Sequence, residues 1–211
     1  AAASVKKKYV NPVAMEAGTG EMLKKPAFWL YYLWAILLSA AGLALVSQAS
    51  AIAKEVGPTV SIGTITTVVG LISIFNGIGL FDKVGRSGTM QTVNVLFVVT
   101  GIVLIAALKM QSFPVLVAGF IIGGLAYGGV TPANAAFVSS YYGLKHYSLN
   151  LSVVVTNLMF ASFGSTVAGA LYDATGSYMS TYLMICGMAL VGVLVSISIS
   201  ICDKRMLAKM K

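Results

Sequence analysis

Six long apolar runs decide what this chain can become. They are expected at residues 28–53, 60–81, 89–110, 114–142, 148–172 and 178–202. At ~1.5 Å of rise per residue, each can cross a hydrocarbon layer of ~30 Å as an α-helix. Open strands of that length would leave amides unpaired in lipid, so helices are the state these runs can adopt. The composition agrees, with 58% hydrophobic and only 9% charged residues in 211, and a mean hydropathy of +0.89. A soluble domain cannot absorb that much apolar side chain, whereas a bilayer can solvate it. The expected fold is therefore an all-α membrane protein. Six transmembrane helices fill residues 28–203, between a polar lead-in at 1–27 and a basic tail at 204–211.

The net charge of +8 is distributed in the manner of a membrane protein. Its basic residues flank the apolar runs in short clusters, and no continuous basic face for nucleic acid is built from them. With six crossings, Lys6, Lys7, Lys8, Lys24, Lys25, Lys83, Arg86, Lys145, Lys204, Arg205, Lys209 and Lys211 fall on one side. Only Lys54 and Lys109 fall on the other. The positive-inside rule then puts both termini in the cytoplasm. The lead-in has no apolar core of a secretory leader. It reads either as a flexible basic tail near anionic headgroups or as a connector between two halves of a larger protein. Trp29, Tyr31, Tyr32 and Trp34 open the first run like an interfacial aromatic belt. Cys186 and Cys202 lie sixteen residues apart in one run; that is ~24 Å of helix, far beyond disulfide reach.

Chemistry-bearing patterns are scarce. The single histidine, His146, follows Lys145 in a loop and reads as solvated. No His, Cys or Ser motif of a catalytic or metal site is present, so neither catalysis nor a metal or cofactor is expected; the lipid bilayer is the expected surrounding. No Asp, Glu, Lys, Arg or His lies in the middle of any run, which leaves no obvious proton relay and no charged anchor. What remains is neutral: Gln48, Asn76, Gln91, Asn94, Tyr127, Thr131, Asn134 and Asn157. Such groups either bond helix to helix or contact a ligand, and the residues alone leave both open. The fourth run is the best cavity wall. Gly119/Gly123 and Gly124/Gly128 have the spacing that lets helix backbones approach closely. Pro132 removes a backbone donor and should kink the helix. Tyr127 and Thr131, four apart, share a face. In the fifth run Asn157 is a further lining candidate, and Asp173 at its end reads as a solvated cap.

Between the second and third runs stands a charged knot, Asp82-Lys83-Val84-Gly85-Arg86. It resembles the D-[RK]-x-G-[RK] core of the signature loop of the major facilitator superfamily, which follows the second helix of each six-helix half. Glu21 to Lys24, Ser50 to Glu55, Asn76-Gly77-Ile78-Gly79 and Tyr127-Gly128-Gly129 with Thr131-Pro132 further resemble the oxalate:formate antiporter family, which includes monocarboxylate transporters. The resemblance implies the C-terminal half of a twelve-helix carrier in the bacterial inner (plasma) membrane, with residues 1–27 as its central loop. Its partner would be an N-terminal six-helix half or a second copy, and its cargo a small organic anion, a mono- or dicarboxylate, moved by alternating access. Asp82, Lys83, Gly85 and Arg86 would act in the cytosolic gate, and Asn76, Tyr127, Thr131, Asn134 and Asn157 would line the cavity. Two positions depart from that pattern. Gly79 runs through Leu80-Phe81 straight into Asp82, so the Arg that follows Asn-Gly-x-Gly in the family is missing along with a stretch of helix, and no Lys occurs between Ser148 and Tyr172. A stand-alone six-helix protein, or an inactive remnant, are the alternatives.

Overall fold

A computed structural model describes residues 16–61, 63, 64, 67 and 85–209, with the backbone alone at 85, 86 and 203–209. The expected second span, with Asn76, and the knot residues Asp82 and Lys83 lie outside the described residues. Among the described residues every regular element is an α-helix: α1 (Thr19–Leu23), α2 (Pro26–Val56), α3 (Gly85–Met110), α4 (Phe113–Gly128), α5 (Val130–Tyr142), α6 (Tyr147–Val155), α7 (Asn157–Ala161), α8 (Phe163–Thr175) and α9 (Met179–Lys209). They form five membrane-length apolar spans: Pro26–Val56, Ser87–Met110, Phe113–Tyr142, Tyr147–Thr175 and Met179–Cys202. By the length and composition of its helices this is an integral membrane protein.

Local sequence sets the ends. Pro26 opens α2 and Pro114 sits in the first turn of α4, where a missing N–H costs nothing. Gly176 closes α8 in the left-handed region (φ 70°), and its N–H returns to Tyr172 O at 2.7 Å; without a Cβ that conformation is cheap. The joint between α4 and α5 falls at Gly129, whose N–H is shared between Leu125 O and Ala126 O at 3.2 Å each. Pro132 lacks the N–H that would reach back to Gly128, so the helix loosens one turn before the proline. The span from Tyr147 is pinched twice, at Thr156 and Ser162. There the side chains bond carbonyls of the preceding turn, Thr156 Oγ1 to Val153 O at 2.6 Å and Ser162 Oγ to Met159 O at 2.7 Å.

α2 is the helix around which the rest is arranged, packing against α3, α4, α7, α8 and α9. Small residues make this possible. A Cβ on Gly164 of α8 would sit 2.6 Å from Ala40 O and 2.9 Å from Ala40 Cα, so the two backbones touch. Gly119 and Gly123 of α4 receive Leu104 and Thr100 of α3, and Gly123 also meets Leu45 of α2. Gly124 and Gly128 are buried.

Three sequence expectations change. Tyr31 and Trp34 are fully buried, while Trp29 is 55% exposed. Of the supposed aromatic belt, Trp29 remains on the surface and the others belong to the core, because α2 is enclosed by neighbours even in its first turns. The lead-in, where described, is docked rather than free. Ala17 N donates to Tyr142 O (3.2 Å), Asn150 Nδ2 to Ala17 O (3.0 Å) and Thr19 Oγ1 to Asn150 Oδ1 (2.8 Å). Lys145 N donates to the Glu16 carboxylate at 3.0 Å, in a turn that Gly143 opens at φ 75°. Asp173, finally, is exposed within the last turn of α8. The carboxylate at the head of α9 is Glu55, which accepts from Ser177 Oγ (2.7 Å) and Tyr178 N (3.0 Å), as an anion at a helix N-terminus should.

Candidate functional site

Ser39 lies near the middle of α2, and Tyr127 near the middle of the Phe113–Tyr142 span. Where these helices meet the α6–α7 joint they enclose a cavity of about 90 Å³. Its polar wall is Ser39, Tyr127, Thr131 and Asn134, and its apolar wall is Val130, Val155 and Leu158. It has room for a molecule of only a few non-hydrogen atoms. Val155 and Leu158 are 39% and 41% exposed, and Thr131 is exposed as well, so the cavity reaches the outer surface of the bundle along these three.

Each polar group has a local reason to be there. The Tyr127 ring lies on Gly42 of α2, where an added Cβ would come within 2.5 Å of the ring Cγ. Only a glycine lets the two helices and the ring coexist. Thr131 stands one turn later, beyond the Gly129 joint. Among the described residues neither the Tyr127 nor the Thr131 hydroxyl has a hydrogen-bond partner. Asn134 is buried, and its Oδ1 accepts from Tyr31 Oη at 2.8 Å. Its Nδ2 has no partner among the described residues. Ser39 Oγ donates to Asn157 Oδ1 at 3.2 Å, and Asn157 Nδ2 donates to Val154 O at 2.6 Å. Asn157 thus stands behind the wall and holds Ser39. Beside it, Tyr32 and Thr156 share a hydroxyl–hydroxyl bond of 2.7 Å.

The structure therefore brings Tyr127, Thr131 and Asn134 to one wall and sets Asn157 in the layer behind it. Asn76 lies outside the described residues. Of the gate motif, Gly85 and Arg86 begin α3 as backbone. Ser39 and Tyr31 belong to the site without having stood out in the sequence. Ser39 is one small residue in Ser39-Ala40-Ala41-Gly42, and Tyr31 is masked by its aromatic neighbours; neither has a spacing that marks it.

Other neutral groups of the runs are spent on helix contacts. Trp34 Nε1 donates to Asn94 Oδ1 (2.9 Å), Asn94 Nδ2 to Ser196 Oγ (3.1 Å) and Gln91 Nε2 to the same oxygen (2.9 Å). Gln48 takes the Tyr178 hydroxyl at 2.9 Å. A second, wider recess of about 430 Å³ lies under the lead-in, between Glu16, Glu21, Lys24 and Lys25, with both signs of charge. Among the described residues no cluster of three His, Cys, Asp or Glu side chains could hold a metal.

The arrangement around Tyr127 can do one thing well. It offers hydrogen-bond donors, two hydroxyls and an amide NH2, in a cavity whose lining residues carry no charge. Small acceptor-rich molecules suit it.

No family model matches the chain. The chain is similar to an oxalate:formate antiporter of Oxalobacter formigenes, with 27% identity over 176 residues, which cover 77% of this chain. The match takes in 41% of that protein, so this chain spans less than half the length of the curated relative.

Proposed function

We propose that this chain is one six-helix half of a secondary transporter of the major facilitator type, moving a small organic anion such as a mono- or dicarboxylate by alternating access. The observation that carries this reading is the donor-lined cavity of Ser39, Tyr127, Thr131 and Asn134, near the middle of two apolar spans. Carriers of this architecture hold their cargo near the midplane, at the interface of two repeats. A carboxylate oxygen accepts from hydroxyls and amides without a full positive charge, and such bonds to a charged acceptor are the stronger kind. The similarity to an antiporter supports transport rather than catalysis. In this reading both termini are cytoplasmic, and Asp82, Lys83, Gly85 and Arg86 form part of the cytosolic gate. A second six-helix unit, a separate half or a second copy, covers the cavity where Thr131, Val155 and Leu158 leave it exposed. The balancing charge for the anion then comes from that unit, because no Lys, Arg or His stands in the middle of these spans.

The full-length protein in sealed liposomes tests the reading. Labelled formate or oxalate should enter faster when the vesicles are preloaded with unlabelled anion. Failure to move any mono- or dicarboxylate, with protein shown to be folded and inserted, overturns the substrate class.

A further inference from the structure

We propose that Tyr31 sets the cavity's selectivity for hydrogen-bond acceptors, by fixing which end of the Asn134 amide faces the ligand. The proposal rests on the small-anion reading above. A carboxamide has an acceptor end and a donor end of nearly equal size, so an unconstrained Asn134 could present either to the cavity. Here the choice is made from behind. Tyr31 Oη donates to Asn134 Oδ1 at 2.8 Å, both residues being buried. A phenol is a better donor than acceptor, because its oxygen lone pair is partly delocalised into the ring. The ring itself cannot swing away. It is stacked on Phe137 with centroids 3.7 Å apart and planes within 7°, and Trp34 packs against it at 5.4 Å. With the carbonyl end occupied, the NH2 end is left for the cavity.

The neighbouring hydroxyls cannot supply this discrimination. Tyr127 and Thr131 can each rotate an O–H to donate or an oxygen lone pair to accept. A locked NH2 only donates. A carboxylate oxygen opposite it is bound, whereas a carboxamide NH2 in the same place sets donor against donor and leaves both unpaired. Leaving a buried polar group unmatched costs more than a made bond contributes, so the penalty falls on the wrong ligand. Asn134 is the selecting group, and Tyr31 positions it without touching the ligand.

Oxalate and oxamate test this, since they differ by one carboxylate against one carboxamide. Their affinities are measured as inhibition constants for anion exchange by the full-length protein in liposomes. The unchanged protein should prefer oxalate. In Tyr31→Phe the amide is free to turn, and the oxalate-to-oxamate preference should fall roughly three- to tenfold. A loss of packing alone would weaken both ligands together and leave the ratio unchanged. Asn134→Asp is the second variant, for the case in which Tyr31→Phe does not fold. With Tyr31 holding one oxygen, the other presents an acceptor, and the preference should shift toward oxamate. An unaltered ratio in either folded variant overturns the proposal. If the unchanged protein binds neither compound nor formate, the small-anion reading falls and takes the proposal with it.

Discussion

Trp34 and Ser39 stand five residues apart on α2, about 7.5 Å along the helix, yet the polar clusters they belong to have opposite balances. Around Trp34 the polar side chains are tied to one another. The indole N–H goes to Asn94, the Asn94 amide and Gln91 go to Ser196, and the Ser196 hydroxyl goes on to Val193 O at 2.8 Å. This cluster ties α2, α3 and α9 together. Around Ser39 the balance is open. Ser39 and Asn157 satisfy one another, but among the described residues the Tyr127 and Thr131 hydroxyls and the Asn134 NH2 remain unspent at a cavity. The same residue types therefore do two jobs: a network closed between helices reads as structural, while one left open at a cavity reads as binding. Substitutions should separate the two by what they disturb.

The largest effect should come from Asn94→Ala. It strands the Trp34 N–H and takes a donor from Ser196 in a buried site, where each unmatched group costs about 1–3 kcal/mol. Thermal unfolding in detergent should shift downward by several degrees, while the anion affinity of the folded fraction stays at the unchanged protein's value. A drop in affinity at constant stability would erase the distinction between the clusters.

Ser39→Ala should lie between the extremes. It removes the bond to Asn157, worth roughly 1 kcal/mol of stability, and also one polar group of the wall. Both the unfolding temperature and the anion affinity should fall modestly. A change in only one of them would assign Ser39 wholly to one cluster.

Tyr127→Phe and Thr131→Val should show the reverse of Asn94→Ala. Their hydroxyls have no partner among the described residues, so stability should stay within about 0.5 kcal/mol. Anion affinity should fall roughly three- to tenfold for each. If either variant destabilises the protein as much as Asn94→Ala does, its hydroxyl is structural.

The smallest effect lies away from both clusters, at the head of α9, and calibrates them. Burial first, then the neighbouring Tyr172, Glu55 and Asp173, raise the Tyr178 phenol above its ordinary value. The folded form thus holds this proton more tightly than the unfolded chain does. Its contribution is complete below the unfolded value of about 10 and is lost as pH rises through the higher folded value. Unfolding temperature should therefore decline slightly on the alkaline side. In Tyr178→Phe that part of the decline should disappear, with anion affinity unchanged.

Much of the fold was legible because it rests on local and additive quantities. Apolar length marks a span whatever surrounds it, Pro26 separates the lead-in from the first span, and Gly176 can take the φ that ends a helix. The glycine spacing of Gly119 and Gly123 marked a close approach, although not that Leu104, Thr100 and Leu45 would fill it. The site was legible in part. Tyr127, Thr131 and Asn134 share one stretch of helix, so a periodicity argument can group them. Ser39 and Tyr31 come from a helix some ninety residues earlier, and no periodicity connects elements so far apart. Trp29 and Tyr31 look alike in sequence, yet one is on the surface and the other in the core. Glu55 and Asp173 are both acids beside a turn, and only Glu55 reaches the α9 N-terminus.

By itself the sequence determined that this chain is helical, that it belongs in a membrane, and that its spans carry neutral polar groups rather than charges in their middle. Those properties follow from side-chain transfer energies and backbone geometry, which each residue carries with it. Tertiary structure alone decided which of the neutral groups are spent. Whether an amide binds a neighbour or waits for a ligand depends on what stands within hydrogen-bond distance of it, and that is a property of the packed bundle. Asn94 and Asn134 are the same residue with the same needs. One is surrounded by Trp34 and Ser196, the other by Tyr31 and a cavity.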